Sequence, residues 1–157
     1  MNHDILDQHF NAENSLEKGT YEACYFSNCD LKSLDLSEFC FIDCEFESCD
    51  LSNIKTHQTA LRNVNFKQCK LLGIQFEQCN PFLFEIDCSD SQMQFCTFYR
   101  CTLKGAKFIS CDLKQVDFTE AVLKKCDFSN SNLERAIFDQ TDLEGADFST
   151  IENLQLD

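Results

Sequence analysis

Residues 111–149 read CDLKQVDFTEAVLKKCDFSNSNLERAIFDQTDLEGADFS, and every fifth position in that stretch is apolar. Leu113, Phe118, Leu123, Phe128, Leu133, Phe138, Leu143 and Phe148 mark the period, and it runs back without a miss through Phe108 and Leu103 to Phe98. An earlier series with the same period reads Leu16, Tyr21, Phe26, Leu31, Leu36, Phe41, Phe46, Leu51, Thr56, Leu61, Phe66, Leu71 and Phe76, with Thr56 its one polar member. Two residues before many of these centres lies a second small or apolar position, filled by Cys24, Cys44, Cys49, Cys69, Ala106, Cys111, Val116, Ala121 and their like. The other three positions are mostly Asp, Asn, Glu, Ser, Lys and Gln, so two positions per repeat face inward and three face outward.

Neither regular element can bury such a period unaided. On an α-helix, at about 100° per residue, successive centres would rotate by roughly 140° and wander around the cylinder. On a flat strand an odd period would send successive centres to opposite faces. The chain must therefore turn a corner once per repeat, and corners of one hand wind it into a solenoid whose coils pair at roughly 4.8 Å. Phe and Leu alternate between successive centres, so a three-sided coil of fifteen residues would stack Phe on Leu. A four-sided coil of twenty stacks Phe98 on Phe118 on Phe138 and Phe26 on Phe46 on Phe66. The expectation is an all-β, four-sided β-helix of nearly seven coils over residues 16–150, a rod on the order of 30 Å long.

The register breaks once. From Phe76 to Phe98 is 22 residues, two more than four repeats, so the extra pair must bulge out or end one stack and begin another. The interval holds the only proline, Pro81, and the non-alternating run Phe82, Leu83, Phe84. This divides the chain into a lead-in or cap (1–15), a first run of coils (16–78), a break or loop (79–92), a second run (93–150) and a tail (151–157). An exposed loop on a rigid scaffold is a natural place for an apolar contact patch, which marks Asn80, Pro81, Phe82, Leu83 and Phe84 as candidate partner-binding residues.

Composition narrows the function. With 27 acidic against 13 basic residues, the net charge of −14 opposes direct binding to nucleic acid and to anionic lipid and favours basic partners. The charge is uneven: residues 1–54 carry −10, residues 55–135 carry +2 and residues 136–157 carry −6. At the coil spacing, outward carboxylates such as Asp30 over Asp50 and Asp127 over Asp147 would form ladders of negative charge. No apolar run is long enough to span a membrane and the first residues do not resemble an export signal, so a cytoplasmic location is expected. The twelve cysteines lack a CxxC pair, and stacked thiols at the coil spacing are too far apart for a disulfide. They read as small core residues in the layer where alanine also occurs. No metal, cofactor or catalytic group is assigned: His3, His9 and His57 fall in no catalytic motif, and a dry continuous core leaves no obvious pocket.

The segment 111–149 resembles the A(D/N)LXX repeats of the pentapeptide repeat family, and the likeness covers roughly residues 16–150. Cys at the position two before the centre, and a break followed by MQFCTFY, are similar more narrowly to the quinolone-resistance (Qnr-type) branch. The resemblance implies a right-handed quadrilateral β-helix. It implies an acidic, non-enzymatic DNA mimic that occupies the DNA-binding saddle of a bacterial type II topoisomerase such as gyrase and modulates it or protects it from quinolones. It also extends to this chain a role for the loop near Asn80 to Gln92, and a homodimer joined through C-terminal coils. Ile151, Leu154 and Leu156 are the residues available to cap or seam that end. The competing reading is a general protein-interaction scaffold whose acidity serves solubility alone.

Overall fold

Corners appear where the period demands them. In the computed structural model, which describes residues 3–151, backbone φ is positive at Ser110 (54°), Gln115 (56°), Glu120 (55°), Lys125 (59°), Asn130 (59°), Arg135 (59°), Gln140 (51°) and Gly145 (72°). One left-handed residue every five turns the chain by a side and restores the inward direction of the next centre. Most corner residues are not glycine, so each carries a steric cost of about 1 kcal/mol that burial of the centres must outweigh.

Ten short strands follow: β1 (His3–Leu6), β2 (His9–Asn11), β3 (Gly19–Glu22), β4 (Tyr25–Ser27), β5 (Cys40–Ile42), β6 (Glu45–Glu47), β7 (Ala60–Arg62), β8 (Val64–Lys67), β9 (Ile86–Ser89) and β10 (Phe108–Ile109). All pair in parallel, in the orders β1-β3-β5-β7 and β10-β9-β8-β6-β4-β2, which form two sides of the tube. Single bridge pairs make the other two, for example Asp30–Asp50–Lys70–Gln92–Asp112–Asn132 and Gln75–Thr97–Asp117–Ile137. The fold is a right-handed quadrilateral β-helix. The six-stranded sheet accounts for five turns, from His9 to Ile109, against nearly seven coils expected. Beyond it, single bridges such as Val122–Asp142 and Asp127–Asp147 carry the spacing of twenty onward.

Two steps differ from twenty. His3 pairs with Gly19 and His9 with Tyr25, a step of sixteen, so strands already lie within residues 1–15. Gly19 sits where an added Cβ would lie 2.3 Å from the His3 carbonyl oxygen, so any larger residue there would push β1 off its neighbour. At the break, Val64 pairs with Ile86, Lys70 with Gln92 and Gln75 with Thr97, each a step of 22. The two extra residues bulge from one side while the stack continues: the Phe76 and Phe98 rings lie 4.6 Å apart and 5° from parallel. Within the expected break of 79–92, Ile86–Ser89 is paired strand and Ser91 is buried, so the irregular backbone is confined to residues 80–85. Leu154 and Leu156 lie outside the described residues, while Ile151 packs half-buried against the core.

Numbering the four sides by the centres Tyr21, Phe26, Leu31 and Leu36, phenylalanines form columns of parallel rings on the second and fourth. Phe10–Phe26–Phe46–Phe66 stack at 5.0, 4.4 and 5.3 Å, and Phe98–Phe118–Phe138 at 5.2 and 5.3 Å. Thr56, the polar centre, is 1% exposed and donates its hydroxyl to the Gln75 carbonyl at 2.8 Å.

The cysteine position has a hydrogen-bonding reason. The carbonyl of a centre finds a donor in the next coil, in the side chain three residues past the centre stacked on it: Cys96 Sγ donates to Leu71 at 2.8 Å, Cys126 Sγ to Leu103 at 2.7 Å, Thr59 Oγ1 to Leu36 at 2.7 Å and Ser131 Oγ to Phe108 at 2.6 Å. On the third side the same atom also accepts the N–H of the coil before it, as Ser131 does from Cys111 at 3.0 Å and Cys49 from Cys29 at 3.4 Å. That column reads Cys29, Cys49, Cys69, Ser91, Cys111, Ser131, every member buried and every member bearing a γ heteroatom. A small side chain with one donor and one acceptor is what the site needs, since orphaned buried backbone groups are costly. Ser131→Cys should therefore leave stability within about 1 kcal/mol, whereas Ser131→Val, which leaves two buried groups unmatched, should cost about 2–4 kcal/mol in the urea midpoint.

Candidate partner-binding surface

The outward acidic pairs are where the spacing put them. Asp30 and Asp50 are bridge partners on the third side, and Asp127 and Asp147 on the second. Each aspartate at this repeat position also binds its own chain: Asp30, Asp50, Asp127 and Asp147 accept the N–H of Lys32, Ser52, Ser129 and Ser149 at 3.4, 2.9, 2.9 and 2.8 Å. The carboxylates are thereby fixed in direction rather than free to swing. A hydrogen bond from the Lys32 ammonium holds the Asp30 carboxyl below its ordinary range, and hydrogen bonds from Ser149 do the same for Asp147. The ladders are short, because Lys70 follows Asp50 and Lys107 precedes Asp127 in the same columns.

The bulge is a tight turn. Asn80 Oδ1 accepts the Phe82 N–H at 2.9 Å, Phe84 N–H donates to the Pro81 carbonyl at 3.3 Å, and Leu83 supplies the left-handed residue at φ 54°. Glu85 N–H then returns to the Leu61 carbonyl at 3.0 Å, rejoining the wall. Its aromatics divide. Phe84 turns in, its ring 6.3 Å from that of Phe76, while Phe82 and Leu83 are 62% and 64% exposed. The Arg62 guanidinium lies 5.1 Å from the Phe82 ring centroid, a cation–π contact that holds the loop against β7. Between the bulge and the next coil the wall opens into a cleft of about 220 Å³ lined by Phe76, Cys79, Pro81, Phe84, Tyr99 and Arg100. Tyr99 on the cleft and Phe95 elsewhere on the surface are also exposed, and the sequence reading assigned neither. Their signal was present: Phe95 is one of the phenylalanines off the centre positions, and Tyr99 occupies an outward place next to the centre Phe98.

Phe82→Ser should leave the melting temperature almost unchanged, within about 0.5 kcal/mol, and Phe84→Ser should cost about 1–3 kcal/mol because its ring covers the opening. Equal destabilisation by both would mean that Phe82 is part of the core.

Among the described residues no group of three or more His, Cys, Asp or Glu is placed to hold a metal ion, and no helix is long and apolar enough to cross a membrane. Cys40 alone of the twelve cysteines is not buried. His9 Nε2 lies 2.8 Å from Ser27 Oγ, whose hydroxyl also reaches Asn11 Oδ1 at 2.9 Å, a cluster that ties β2 to β4.

Residues 73–148 match the family described as pentapeptide repeat region. Pentapeptide repeats therefore make up that part of the chain. Two trypsin-treated variants of QnrB1, a plasmid-mediated fluoroquinolone resistance protein, share the fold of this pentapeptide repeat protein. One aligns over 98% of this chain and 92% of its own at 16% identity and a TM-score of 0.52, the other over 96% and 92% at 17% and 0.50. At that identity the likeness is one of fold. No curated protein sequence is significantly similar to the chain.

Proposed function

We propose that this pentapeptide repeat protein is a non-enzymatic, acidic rod that binds a bacterial type II topoisomerase such as gyrase in place of DNA and modulates it or protects it from quinolones. The observation that carries the reading is the set of ordered carboxylates on the outer walls, Asp30 over Asp50 and Asp127 over Asp147, each fixed by a hydrogen bond from its own repeat. Lysines and arginines that hold phosphates are the groups such ladders attract. Fold likeness to a fluoroquinolone resistance protein supports it. In this reading Asn80, Pro81, Phe82, Leu83 and Phe84 supply an apolar contact beside the charged one. Gyrase supercoiling measured with added protein, with and without a fluoroquinolone, tests the proposal. A change in supercoiling or in drug sensitivity at micromolar protein is expected, and no effect on either sinks the topoisomerase reading.

A second reading, a scaffold for another partner, draws on exposed apolar side chains. Phe82, Leu83 and Phe95 are each more than half exposed in the near-neutral middle of the chain, where charge mimicry is weakest. Under that reading Phe82→Ser abolishes partner capture while charge changes at Asp30 and Asp127 do not.

A further inference from the structure

The N-terminal end of the tube combines an open sheet edge, an apolar hollow and an acidic rim. β1 and β2 are the outermost strands of their sheets, and among the described residues no strand lies beyond them. The direction of their free groups follows from the coils above. Ala60 N–H donates to the Phe39 carbonyl and Tyr25 N–H to the Gln8 carbonyl, each toward the preceding coil. Asp4 stands in the column of Thr20, Cys40 and Ala60, and His9 in that of Tyr25. Their N–H groups therefore point out of the end of the tube.

Ile5, Phe10, Leu16 and Tyr21 line an open hollow of about 290 Å³ at the same end. The first three are only half-buried against the core, so their apolar faces are incompletely covered. Glu13 and Glu17 line it and are exposed, and Asp4 on β1 and Asp7 just after it are exposed at the same end. Little offsets them: Lys18 is drawn 2.7 Å to Glu38 in the next coil, and His3 Nε2 lies 3.9 Å from Glu17.

We infer that this end takes an extended polypeptide segment rich in lysine or arginine and carrying one large apolar side chain, added as a strand to β1. Main-chain bonds form with Asp4, the apolar side chain fills the hollow, and the flanking cations meet the rim carboxylates. A second copy of the chain is a poor occupant, because it would bring an equally acidic end into contact. The inference stands apart from the topoisomerase reading, since it uses a different surface and a different feature of the partner.

A fluorescein-labelled heptapeptide alternating lysine with valine, phenylalanine and valine is the probe, titrated by fluorescence anisotropy against the full chain at low salt. Saturable binding is expected, weakening about tenfold as salt rises into the physiological range. Asp4→Pro removes the outward N–H without touching the bonds to β3, since proline is tolerated on a free edge, and should abolish binding. Glu13→Lys with Glu17→Lys should weaken it, whereas Asp142→Lys with Glu144→Lys, near the opposite end, should not. Peptide saturation should also slow hydrogen exchange of the Asp4 amide in the unaltered protein, a readout that decides the matter even if the proline variant fails to fold. No saturable binding, an Asp4 amide left unprotected in the saturated complex, or equal weakening by the Asp142/Glu144 pair would overturn the inference. So would self-association through β1 in the absence of peptide.

Discussion

Raising the pH past about 9 is expected to unfold the protein cooperatively before pH 12 is reached. Burial pushes the thiols of Cys29 and Cys126 up to about 11, and those of Cys44, Cys79, Cys96, Cys101 and Cys111 up to about 12. Burial, reinforced by Glu17, raises Tyr21 from 10 to about 12. In the unfolded chain these thiols ionise near their ordinary value of about 9. Below that pH both states hold the protons and stability is at its full value. Above it the unfolded state sheds protons that the folded state keeps, so stability falls steadily as pH climbs toward the folded values. With seven such thiols the slope is steep. Urea midpoints should be flat between about pH 6 and 8 and drop sharply above 9. Cys111→Ser, which keeps the donor and acceptor the column needs, should make the drop shallower. A midpoint unchanged up to pH 11, or rapid modification of most thiols in the native protein at pH 8, would show that the cysteines are not packed as described.

Phe118→Ala is expected to cost about 3–5 kcal/mol. The side chain is fully buried and sits mid-column, 5.2 Å from Phe98 and 5.3 Å from Phe138, with Phe108 and Phe128 meeting it edge-on at 6.1 and 5.9 Å. Truncation opens a cavity whose walls are themselves stacked rings supported from both sides, so collapse into it is resisted. Because each coil touches only its neighbours, the damage should be local. Hydrogen exchange should show the coils around Phe128 and Phe138 losing protection while β3 to β8 keep theirs. A small loss of stability, or an even loss of protection along the chain, would argue against nearest-neighbour stacking as what holds the tube together.

The repeat was legible in the sequence because the corner, a backbone event, recurs at the same spacing as the centres. Phe and Leu then chose four sides over three, and the Asp30–Asp50 and Asp127–Asp147 pairs followed from that choice alone. What escaped notice were places where the spacing held but the residue type changed, or the reverse. Met93 and Cys88 continue the series of Phe98 backward in steps of five, and Ile86 and Ser91 occupy the inward place two before them. Reading centres as Phe or Leu hid that continuation and made the break look longer than residues 80–85. Ile5 and Phe10 are likewise five apart, yet they join the next coil by a step of sixteen, which no period of five reveals. The bulge, the split between Phe82 and Phe84, and the neighbouring Tyr99 depend on one turn and one cation–π contact, which have no signature in the repeat.

Equilibrium binding to the DNA-binding core of a bacterial topoisomerase, measured with and without saturating duplex DNA, tests the functional account most directly. The account predicts measurable affinity that duplex DNA abolishes, and that weakens with a shallower salt dependence when Asp30, Asp50, Asp127 and Asp147 are replaced by asparagine, a change that keeps their backbone hydrogen bonds. Affinity undiminished by saturating DNA and by the four replacements would contradict it.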